Sequence, residues 1–106
     1  MSEYAKIMKD IDKARLEEKR FQALKRLENT SDFRLLFNEG LFKEELTRVV
    51  MERHGASPED KDVLNQAADS ISFLGQYLDQ IKVLGQSAQY RINEGLKLLD
   101  ELNEEA

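Results

Sequence analysis

One histidine, two groups of carboxylates and a Tyr-Arg pair are the side chains of this sequence best equipped for chemistry. His54 stands immediately before Gly55. An imidazole relays protons or holds a metal, but a zinc or di-iron centre draws on several ligands at helical spacing. Neither Glu-x-x-His nor His-x-x-x-His occurs. At a helix C-terminus an imidazolium meets the negative end of the dipole and reaches free carbonyls, so capping is the role expected of His54. Glu44, Glu45 and Glu52 precede it, and Glu59, Asp60 and Asp62 follow it. Paired carboxylates act as acid and base only where burial drives their pKa values apart. The first group is interleaved with Lys43, Arg48 and Arg53, and the second sits beside Lys61 at a helix start, so both read as solvated faces. The five glycines are dispersed and form no phosphate-cradling loop, and a lone histidine makes no Ser/His/Asp arrangement. Without cysteine there is no thiolate nucleophile, thiolate metal site or disulfide. The expectation is a non-enzyme without catalytic residues, metal or cofactor.

Binding chemistry has two candidates. Tyr90 and Arg91 lie beside Gly85, Gln86 and Gln89, where bundled copies would form a polar pocket and the stacked pair would hold an anionic small molecule. The plainer reading makes both of them interface residues. The second candidate is a basic helix bearing Lys13, Arg15, Lys19, Arg20, Lys25 and Arg26. Glu17, Glu18 and Glu28 dilute it, and no aromatic platform for bases accompanies it. Residues 1–28 carry eight Lys/Arg against six Asp/Glu, whereas residues 55–106 carry four against ten, in a chain of net charge −5. Nucleic-acid affinity comes mainly from neutralised phosphates, so this balance argues against nucleic acid as a partner. It favours head-to-tail contact between the basic arm of one copy and the acidic end of another.

The elements that carry these residues are dominated by one pattern. Alternating steps of three and four connect Leu64, Ala67, Ile71, Leu74, Leu78, Ile81, Gly85, Ala88, Ile92, Gly95, Leu99 and Leu102, all apolar or glycine over nearly six heptads. That is the seam of a coiled coil or helical bundle. Between Gln66 and Asn93 only Asp69, Asp79, Lys82 and Arg91 are charged, and Phe73, Tyr77 and Leu84 lie off the seam. A helix so poor in outward charge is expected to be covered on more than one face. The fold expected is all-α: an elongated, oligomeric helical bundle with a long, coiled-coil-like C-terminal helix whose seam residues mediate self-association. Gly85 and Gly95 either admit a close neighbour such as Phe21 or Phe37, or mark points where the helix bends.

Three segments of one domain are expected. Residues 1–28 form a charged helical arm, with a stripe of Tyr4, Ile7, Ile11 and Ala14 that meets Glu18 and a rotated stripe of Phe21, Leu24 and Leu27. Residues 29–55 form a helix-turn-helix corner. Asn29 to Asp32 cap its first helix, on which Phe33, Leu36 and Phe37 share a face. Gly40 ends that helix in a left-handed turn, and Phe42, Leu46, Val49 and Val50 face inward from the next. The alternative is a continuous helix that tolerates Gly40 at about 1 kcal/mol. Residues 57–104 form the heptad helix, opened by Gly55, Ser57 as cap and Pro58 at the first helical position, with Glu59 and Asp60 complementing the dipole. Gly75 and Gly85 are the places where it would bend.

The run Thr30-Ser31-Asp32-Phe33-Arg34-Leu35-Leu36-Phe37-Asn38-Glu39-Gly40-Leu41-Phe42-Lys43-Glu44-Glu45-Leu46-Thr47-Arg48-Val49-Val50 resembles a segment of small helical proteins of tailed bacteriophages. There an Asn/Asp-Phe motif leads into a Glu-Gly-aromatic-Phe-Lys-Glu-Glu-like turn and then Arg-Leu-Val. With a looser match through residues 71–85, the resemblance covers about half the chain. It implies a phage-encoded, non-enzymatic protein, either part of the particle or an accessory factor. Together with the heptad helix as the self-association element, the expectation is a virion or assembly component that binds copies of itself, with other phage or host proteins as further partners. It carries over no site residue. The alternative is a small inhibitor or sequestering factor against a host enzyme, nucleotide or defence protein. No apolar run reaches the length of a membrane span, and the charged N-terminus has no signal-peptide core, so the host cytoplasm or the virion is expected.

Overall fold

The computed structural model describes residues 2–105, and no strand occurs among them. Helix α1 spans Glu3–Glu28 and has no glycine or proline to interrupt it. The Ser2 hydroxyl opens it by accepting the Ala5 N–H at 3.1 Å. Thr30 then does double duty: its hydroxyl donates to the Leu27 carbonyl at 2.7 Å and accepts the Phe33 N–H at 3.1 Å. One side chain thereby closes α1 and caps the turn α2, Ser31–Phe33.

From α2 the chain continues without a corner. Arg34–Glu45 is π-helical and passes directly into α3, Leu46–Arg53. The Leu46 N–H donates to the Leu41 carbonyl five residues back, the spacing of a π-turn. This corrects the expected helix-turn-helix corner at Gly40, because the left-handed conformation needed there is absent and Gly55 alone, at φ +81°, adopts it among the described residues. The physical reason lies in the aromatics. Phe37 and Phe42 are five apart and fall on different faces of an α-helix, whereas a π-turn brings them into line. Phe33 and Phe37 stack at 4.9 Å between centroids, and Phe37 and Phe42 tilt together at 6.5 Å. The wider turn leaves Leu36 exposed instead of sharing the inner face with Phe33 and Phe37, and Val50 is likewise turned outward beside the buried Val49.

Gly55 terminates the α3 end as expected, and α4 runs Pro58–Glu105. The Ser57 hydroxyl accepts the Asp60 N–H at 3.2 Å, and Pro58 holds the first helical position. Helix α4 is the longest element, with 48 residues. Gly75 and Gly85 both lie inside it without interrupting the helix.

The chain forms two compact units. In the first, α1 up to Leu24 packs antiparallel on α4 from Gln80 onward, with Phe21 against Gly85, Glu17 against Arg91 and Ile11 against Gly95. Its core is Ile7, Ile11, Ala14, Ile92 and Leu99, with Met8 and Leu102 packed on the edge. In the second, Lys25–Asp79, the 31–53 segment runs antiparallel to the start of α4, with Phe42 at Gly75 and Arg53 bonded to Asn65. Phe33, Val49 and Ile71 are its buried apolar residues. Ile11 and Val49 are each only 1% exposed, and removing such a side chain from water stabilises by about 1.5–3 kcal/mol.

Every seam position of α4, Leu64 through Leu102, is buried or half-buried within this single chain. The seam expected to meet other copies is thus occupied intramolecularly, by α1 in one unit and by the 31–53 segment in the other. The outer face of α4 is the face left exposed, with Phe73 and Tyr77 on it. The room at Gly85 is taken by Phe21, one of the two occupants expected, and that at Gly95 by Ile11.

Candidate functional site

Arg91 is fully engaged inside its own unit. Nη1 donates to Glu17 Oε1 at 2.9 Å, Nη2 to the Leu84 carbonyl at 2.6 Å, and Nε to Ser87 Oγ at 3.1 Å. Glu17 is only 6% exposed. A carboxylate so far from water demands an ion partner and hydrogen bonds, and Arg91 supplies both. The pair bridges α1 and α4 where the apolar stripe of α1 is interrupted. Arg91 therefore ties α1 to α4 within the first unit, with each of its three nitrogens donating to a partner in the chain.

Tyr90, next in sequence, points outward and is 69% exposed. With Arg91 it lines a half-open cleft of about 350 Å³ whose other walls are Ile7, Asp10, Lys13, Glu94, Gly95 and Leu98. Two carboxylates oppose two cations there, which suits neither an anion nor a cation. The surroundings also differ from the expected polar pocket, since Gly85 lies under Phe21 and Gln89 bonds Asn93 at 3.1 Å.

The carboxylate groups are solvated, as their spacing with basic residues implies. Arg48 holds Glu45 through two donors, with Nε to Oε2 at 3.1 Å and Nη2 to Oε1, and reaches Glu52 with Nη1 at 2.8 Å. Hydrogen bonding from Arg48 holds the Glu45 carboxyl below its ordinary value and raises the guanidinium further. These three residues form a solvent-facing lattice from the end of the π-helical segment along α3. Glu59, Asp60 and Asp62 are exposed at the start of α4. Among the described residues no group of three or more His, Cys, Asp or Glu is placed to hold a metal ion. His54 follows α3, its N–H bonded to the Met51 carbonyl, and its side chain borders an open cleft with Val50, Met51, Arg53, Gly55, Lys61 and Asn65.

The surface with the clearest interaction character is the outer face of α4 in the second unit. Phe73 is 71% exposed and Tyr77, one turn on, 48% exposed. Ser72 and Gln76 flank them, also exposed, and residues 70–78 contain no charged side chain. Solvated helix faces ordinarily carry alternating charge, whereas uncharged faces with aromatics characterise interface centres. The sequence flags Phe73 and Tyr77 as lying off the seam, and among the described residues Phe73 is largely and Tyr77 about half uncovered. No described helix is long and apolar enough to cross a membrane. Compared with known proteins, the chain matches no family model, no curated protein and no solved structure.

Proposed function

We propose that this chain is a non-enzymatic interaction protein that self-associates through the outer face of α4 and serves as a virion or assembly component of a phage. The observation that carries the proposal is the exposed Phe73–Tyr77 pair on an uncharged stretch of helix. Burying such a pair supplies a large apolar contribution, and aromatic side chains dominate the energetics of interfaces. A second copy is the fitting occupant. The chain carries a net −5, which disfavours contact between copies through its charged faces, whereas residues 70–78 carry no charge. Two such faces related by a two-fold axis make an isologous dimer, the commonest closed arrangement. The phage setting rests on the resemblance of residues 30–50.

The test is the solution mass of Phe73→Asp/Tyr77→Asp against wild type. Both positions point to solvent, so the variant keeps the fold and loses the dimer. A variant that dimerises as the wild type does overturns the proposal.

A further inference from the structure

The cleft beside His54 differs in charge from the rest of the molecule. It has a volume of about 720 Å³ and is lined by Val50, Met51, Arg53, His54, Gly55, Lys61 and Asn65, without a carboxylate. Met51 is 69% exposed at its apolar wall. Arg53 is held in place by donating from Nη1 to Asn65 Oδ1 at 3.0 Å. The nearby Glu52 and Asp60 border a neighbouring cleft that shares His54 and Gly55, and Glu52 is bound by Arg48. An apolar wall beside two cations, Arg53 held by Asn65 and Lys61, is suited to a segment that carries a leucine and carboxylates together.

The chain itself contains such a segment. Residues 98–105 hold Asp100, Glu101, Glu104 and Glu105 and no Lys or Arg, all four carboxylates being exposed. They crowd the C-terminal end of α4, whose last turn has no basic residue. Carboxylates there oppose the negative end of the helix dipole, and a cationic neighbour relieves that repulsion. Leu98, Glu101 and Glu105 fall on one face at helical spacing, and Leu98 is 46% exposed.

From this complementarity, and resting on the self-association reading, we infer that the acidic end of α4 from a second copy docks in the Arg53–Lys61 cleft. Leu98 meets Val50 and Met51, and Glu101 and Glu105 meet Arg53 and Lys61. The two surfaces are different parts of the chain, so the contact is head-to-tail. It extends two-fold dimers into longer assemblies instead of closing them.

Light scattering over a concentration series tests this, at about 0.1 M and about 1 M salt, where the screening length falls from about 10 Å to about 3 Å. Wild type should exceed the dimer mass at low salt and return to it at high salt. Arg53→Glu/Lys61→Glu and, separately, Glu101→Lys/Glu105→Lys should stop at the dimer at both salts. Mixing the two variants restores opposite charges at every contact and should restore growth. Wild type that never exceeds the dimer, a single variant that grows like wild type, or a mixture that stays dimeric overturns the inference. Those outcomes leave the α4 outer face untouched. Phe73→Asp/Tyr77→Asp run in the same series reports on that face separately.

Discussion

Gly85→Ala is expected to destabilise the protein although it replaces glycine by alanine in the middle of a helix. On helix propensity alone the change stabilises by about 1 kcal/mol. A Cβ built on Gly85, however, overlaps the Cβ and Cγ of Phe21 and comes to 2.6 Å from Cδ2. Carbons pack at about 3.5–4.0 Å, so α1 and α4 must separate by about 1 Å or more. Overpacking of this kind costs about 1–3 kcal/mol, and the upper end applies because the Phe21 Cβ is fixed to the backbone and no rotamer moves it. The net loss is about 2 kcal/mol, or a fall in Tm of roughly 8 °C for a domain of this size. Gly75→Ala is the control, since its Cβ would lie 3.7 Å from Phe42 Cε1, in ordinary contact. It should gain about 1 kcal/mol. A double-mutant cycle sharpens the reasoning. Phe21→Ala keeps the offending Cβ, so Gly85→Ala remains costly in that background, whereas in Phe21→Gly it becomes stabilising. Urea and thermal unfolding followed by circular dichroism measure all of these. Gly85→Ala as stable as wild type, or equal effects at Gly75 and Gly85, would refute the close approach of the two helices.

Two further expectations concern charge. Arg91→Ala strands the Glu17 carboxylate in the first unit and should cost about 2 kcal/mol in urea unfolding, less than the ~3–5 kcal/mol of fully enclosed pairs because Arg91 retains some solvent contact. Replacing both partners together, Glu17→Met/Arg91→Met, should return stability to near wild type. On α3, Arg48 lowers the Glu45 pKa in the folded state, so its contribution is present above the ordinary value of 4.5 and fades as pH falls through the lower folded value. The Tm of wild type should therefore exceed that of Arg48→Ala at neutral pH, with the gap closing in acid. A gap that widens below pH 4.5 would contradict the assignment.

The ends of the helices were legible in the sequence because single residues decide them. Thr30, Gly55, Ser57 and Pro58 each act through their own side chain or backbone, without help from distant parts of the chain. The seam was legible as a pattern, but periodicity does not say whose surface fills it. The answer lay in α1, whose stripe reads as broken at Glu18, whereas the residue that continues the buried face after Ala14 is Glu17. Glu17 turns inward only because Arg91 waits on α4, seventy-four residues away. The clue available was that Arg91 is one of few charges in a long uncharged stretch. The π-helical segment is hidden in the sequence for a related reason. Steps of four, five, four and three link Phe33, Phe37, Phe42, Leu46 and Val49, and a five-residue step beside a glycine looks like a corner. Contact of Phe37 with Phe33, stacked, and with Phe42, tilted, makes the wide turn favourable, and that is a contact, not a local propensity. For the outer face of α4, the sequence showed missing charge, and exposure turned that into a candidate surface.

The account stands most directly on one measurement, the mass of the wild-type chain by light scattering across a concentration series at about 1 M salt, where charge contacts are screened and apolar ones persist. It predicts a dimer of twice 12.3 kDa that Phe73→Asp/Tyr77→Asp reduces to the single chain with its helical signal intact. A wild-type mass of 12.3 kDa at every concentration would contradict it.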